Sequence, residues 1–168
     1  MNAEPLPTRD ILCFGLIDDA MANRIIAQLL FFQGKDASEP VTLVINSPGG
    51  QVAAALAILD SMELVTTPIW TRALTQACGV ALLLLAAGER GHRVALEDSY
   101  LNLSPAKYDR TSLEGSDYVK TLNLKLKEKL ASMTQLTIED ADRAFDVGRD
   151  FEAEEAVALG IVDAIAER

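Results

Sequence analysis

The chain has 168 residues, a length that suits one domain, and is 49% apolar but only 5% aromatic, so alanine and leucine must carry the core. It holds 15 basic against 25 acidic residues, a formal charge of −10. That balance argues against nucleic acid and against an anionic membrane surface, both of which reward clusters of Lys and Arg; its plain meaning is solubility.

Residues 1–10 form a short polar tail with two prolines, unlike a signal peptide. Ile11 to Phe14 reads as a strand. Asp18 or Asp19 then caps a helix whose stripe is Met21, Ile25, Leu29 and Phe32, with Gly34 expected to end it. Val41 to Ile45 is β-branched and apolar, a buried strand. The loop Asn46-Ser47-Pro48-Gly49-Gly50 leads into a helix that turns Val52, Leu56, Leu59 and Met62 inward. Pro68 stops that helix. Ile69 to Leu74 is the next strand, followed by an expected turn at Thr75 to Ala77 and an apolar helix ending near Gly88. The unbroken apolar run within it, Val80 to Ala87, falls far short of the ~20 residues that span a bilayer, and reads as a helix buried on all sides.

His92 to Leu96 and Tyr100 to Leu103 are two further strand candidates. Ser116 is expected to cap a long helix with the stripe Val119, Leu122, Leu126, Leu130 and Met133. Thr137 caps a short helix that includes Phe145. Glu152 to Leu159 forms a last helix closed by Gly160, and Ile161 to Ile165 a final strand. Strands alternating with helices of ten or more residues imply right-handed crossovers and a largely parallel α/β sheet. No linker divides the chain, so residues 1–168 read as a single domain. The two cysteines, Cys13 and Cys78, fit neither a metal signature nor a disulfide framework and point to a reducing, cytoplasmic setting. Nothing in the sequence calls for a cofactor or a metal.

The loop at 46–50 ends a strand and opens a helix. Its two glycines let the backbone approach a ligand closely, and free amides at such a place receive developing negative charge. Alone, the loop is equally well a tight turn. Together with its context it is more: Ile45-Asn-Ser-Pro-Gly-Gly-Gln-Val52, Asp19-Ala-Met-Ala-Asn-Arg-Ile-Ile-Ala-Gln-Leu-Leu30, Leu84-Leu-Ala-Ala-Gly88 and Glu155-Ala-Val-Ala-Leu-Gly-Ile-Val-Asp163 resemble, in one order and with near-constant spacing, the proteolytic subunit of the Clp protease, ClpP. The resemblance runs from about Ile11 to the C-terminus. It implies the ClpP/crotonase fold of stacked ββα units with a protruding handle, here about residues 105–133. It also implies stacked rings fed by an AAA+ unfoldase, acting on peptide substrates.

The family cuts peptides with Ser, His and Asp, and here the matching positions depart from that pattern. The nucleophile falls on Gly79, within Gln76-Ala-Cys-Gly-Val-Ala-Leu82. The base falls on Ser104 and the acid on Gly148, with Asp146 or Asp150 reached by a small shift. The one histidine, His92, lies in the polar turn Glu89-Arg-Gly-His-Arg93, and a base must stand within ~3 Å of its nucleophile. Gly49, Gly50 and the Val80 amide remain as an oxyanion hole. Cys78 beside Gly79 is a possible substitute nucleophile, but one helical step swings a side chain by ~100°, and a buried thiol is the plainer reading. A Ser104–Lys107 pair is disfavoured by Pro105 and by a lysine that ordinarily titrates near ~10.4. The crotonase relatives need a placed acid or base that the sequence does not supply.

The resulting expectation is a catalytically silent ClpP-like subunit that assembles with itself or with an active paralogue. The alternative is a peptidase or acyl-transfer enzyme with a rebuilt site, and a third reading is a stand-alone peptide- or acyl-binding module. The short segment before Ile11 puts the family's pore loop and part of its unfoldase docking surface in question. A handle about five residues short does the same for ring stacking. Leu124, off the long helix's stripe, is either a neighbour contact or an ordinary exposed leucine.

Overall fold

The computed structural model describes residues 8–104 and 117–167, without the Val119 side chain. β1 (Asp10–Phe14) turns Ile11 and Cys13 into the core and leaves Asp10, Leu12 and Phe14 outward. α1 (Asp19–Lys35) starts where the Asp18 carboxylate accepts the Met21 amide at 2.8 Å, satisfying a donor that the helix itself leaves free. It buries Met21, Ile25 and Leu29. The helix passes through Gly34 and ends one residue later than the sequence suggests. There the Arg9 guanidinium donates to the carbonyls of Phe32 and Asp36, so no left-handed glycine is needed to finish the turn.

The other elements are β2 (Val41–Ser47), α2 (Val52–Leu64), β3 (Ile69–Cys78), α3 (Val80–Ala86), β4 (Arg93–Leu96), β5 (Tyr100–Leu103), α4 (Asp117–Met133), α5 (Ile138–Val147), β6 (Arg149–Phe151), α6 (Ala153–Ala158) and β7 (Ala164–Ala166). β1, β2, β3, β4 and β7 lie side by side in that order, all parallel. β3 also pairs with β5 at its far end, and β5 meets β6 antiparallel. The expected α/β class with a mostly parallel sheet is therefore present. No helix among the described residues is long and apolar enough to cross a membrane.

The sheet departs from expectation in three places. The turn at Thr75 to Ala77 is strand: the register with β2 slips between Ile45 and Ser47, and β3 bulges, leaves β4 after Ala73 and continues beside β5 to Cys78. The last strand begins at Ala164, because Ile161 and Val162 are spent as buried core residues before the ladder forms. β6 was not foreseen at all. The Ser116 cap, the Val119 side chain and the first half of the handle lie outside the described residues.

α3 is buried along its whole length, from Val80 to Ala86. Each fully buried leucine in it contributes about 1.5–3 kcal/mol relative to exposure. Leu126 and Leu130 of α4 join the same core, while Leu124 is exposed. Arg93 fastens this region. Its guanidinium donates to the Ala86, Met133 and Gly160 carbonyls, at the C-terminal ends of α3, α4 and α6, and pairs with Asp163 at 2.6 Å. Helix C-termini carry partial negative charge, so one buried cation answers three of them.

Candidate functional site

β2 ends at Ser47, whose hydroxyl donates to the Gly15 carbonyl at 2.6 Å and accepts the Gly49 amide at 3.1 Å. Ile17 then straddles Gly50: its amide donates to the Gly49 carbonyl at 2.9 Å, and its carbonyl accepts from Gln51 at 2.7 Å. In such a parallel bridge the Gly50 amide points away from Ile17. Glycine is required on steric grounds. A β-carbon on Gly50 would collide with the Ile17 carbonyl, and one on Gly49, where φ is +93°, would lie 2.7 Å from the Cys78 carbonyl oxygen. The loop is thus pressed against the turn that joins β3 to α3.

Gly79 is the apex of that turn. Its φ of 54° and ψ of −123° are a conformation that a side chain adopts only under strain. Sharp strand-to-helix turns of this kind present nucleophiles in α/β-hydrolases. The Gly79 amide donates to the Asn102 carbonyl at 2.8 Å, which fixes the apex against β5. A β-carbon at position 79 would stand 3.4 Å from the Ser104 hydroxyl. In the β5–β6 ladder Leu103 pairs with Arg149, so Ser104 and Gly148 follow one step beyond it. Positions 79 and 104, far apart in sequence, are therefore neighbours, and 148 adjoins the end of the β5–β6 ladder.

The chemistry these positions carry is slight. Gly79 and Gly148 have no side chain, and the Gly148 amide donates to the Ala144 carbonyl to close α5. Among the oxyanion candidates, Gly49 spends its amide on Ser47. Gly50 and Val80 are the two that remain.

Cys78 sits in the ladder opposite Asn102 and is buried. Burial, and then the Asp150 charge, push its thiol above the ordinary value. Its thiol donates long hydrogen bonds, 4.0 Å each, to the Gln76 side-chain oxygen and the Tyr100 carbonyl. A protonated thiol is a poor nucleophile. Asp146 is exposed on α5. Asp150, on the strand that sequence reasoning missed, accepts from the Tyr100 hydroxyl at 2.7 Å and from the Asn102 amide at 2.6 Å; these two bonds hold its carboxyl below the usual range. Its polar, three-residue strand left no periodic signal to read.

His92 stacks on Trp70, with ring centroids 4.4 Å apart and planes at 6°. Trp70 lies nine residues before Gly79 on β3, on the order of 25 Å along a bulged strand. The imidazole is thus at the opposite end of the sheet from the turn. Lys107 lies outside the described residues.

A family model described as Clp protease matches residues 3–168. That span takes in the glycine loop, the elbow at Gly79 and the β5–β6 hairpin, and the chain belongs to the Clp protease family.

Proposed function

We propose that this Clp-type protease subunit is catalytically silent and works by assembly, in rings of its own or in rings shared with an active paralogue. The observation that carries the reading is the pairing of Gly79 with Ser104, where a nucleophile and its base would have to stand. Losing the Ser or the His of a triad costs about 10⁶ in kcat in the studied case, leaving ~10³–10⁴ over water from the oxyanion hole and binding. The Gly50 and Val80 amides are proposed to retain that hole, which would hold a peptide carbonyl without cleaving it.

Assembly is supported by the sheet's outward face. Leu12 and Phe14 are exposed there, and Val44, Leu74 and Val94 are only partly covered. Exposed apolar side chains gathered on one face, here around Arg72, favour a protein neighbour. A subunit of the same kind, an active paralogue or an AAA+ unfoldase are the partners we propose. Free Cys13 and Cys78 suit a reducing, cytoplasmic setting.

A fluorogenic peptide assay joined to sedimentation tests the reading. A ring without turnover supports it. Turnover that disappears on substitution of a serine or cysteine near Gly49 would favour the rebuilt enzyme, and a lone particle of 18.1 kDa would remove the assembly role.

A further inference from the structure

We draw no further inference here: the strongest candidate, the outward face of the sheet where Leu12, Phe14, Val44, Leu74 and Val94 surround exposed Arg72, already belongs to the assembly reading above, and nothing in the structure shows what covers it.

Discussion

Gly79 faces Ser104 so closely that a β-carbon on the glycine would lie 3.4 Å from the serine hydroxyl. The backbone turns sharply from β3 into α3 at this point, and its apex carries no side chain. A glycine at φ 54° costs the fold nothing, whereas a serine there must be held under strain.

Introducing the two side chains should therefore create reactivity, provided the fold holds the serine in this strained conformation. Gly79→Ser combined with Ser104→His is expected to gain covalent labelling by a serine-directed phosphonate, while Gly79→Ser alone gains none. Turnover should stay far below that of a full triad, because position 148 supplies no carboxylate, and the loss of the Asp costs about 3 × 10⁴ in the studied case. Peptide mapping of the adduct checks both variants.

The glycines should separate by what surrounds them. Gly50→Ala places a β-carbon against the Ile17 carbonyl, a backbone atom that cannot swing aside. It should destabilise by ~1–3 kcal/mol or more. Gly34→Ala lies within α1 with nothing inside 4 Å, and should stabilise by ~0.5–1 kcal/mol through helix propensity and lost unfolded-state freedom. Urea midpoints of the two variants against the parent measure the contrast.

Most of the frame was legible because it follows from local pattern. Met21, Ile25 and Leu29 share a helical face and are buried together, and Val80 to Ala86 is apolar on every side because it is buried on every side. Gly79 could be placed only through the family resemblance, by matching Gln76-Ala-Cys-Gly-Val to the pattern around the family's nucleophile. What stayed hidden depends on tertiary pairing. β6 exists because Arg149, Asp150 and Phe151 find partners on β5, not because three such residues favour a strand. The bulge that carries β3 past Thr75 is set by neighbouring strands, while its Thr and Gln look like a turn. The distance from Gly79 to Ser104, and the Gly49 amide's engagement with Ser47, belong to the same class.

Acid should loosen the Arg93 hub. Hydrogen bonds from Arg93 outweigh burial and lower the Asp163 carboxyl to about 2. A folded pKa below the unfolded one gives stability that is present above the unfolded value of 3.8 and is lost as pH falls towards about 2. The effect is about 1–2 kcal/mol once solvent screening is allowed for. Asp163→Asn should flatten the stability curve between those values, as read from urea midpoints across that range. Arg93→Ala should cost more, about 3–5 kcal/mol, because it strips three helix-end carbonyls of their donor and leaves Asp163 only the Gly91 and Arg93 backbone amides.

Both thiols should be inert in the folded protein. Burial pushes Cys13 up to about 12 and also raises Cys78. Alkylation at neutral pH is expected to be slow in buffer and complete in denaturant. Fast modification of Cys78 in the native state would reopen it as a nucleophile.

The most direct measurement is the intact mass of the wild-type protein after incubation with a serine-directed phosphonate, with peptide cleavage followed in the same tube. An unchanged mass and no detectable cleavage are predicted. A single adduct on Ser104, Cys78 or another side chain beside the Gly79 elbow, lost together with cleavage when that residue is replaced, would contradict the account.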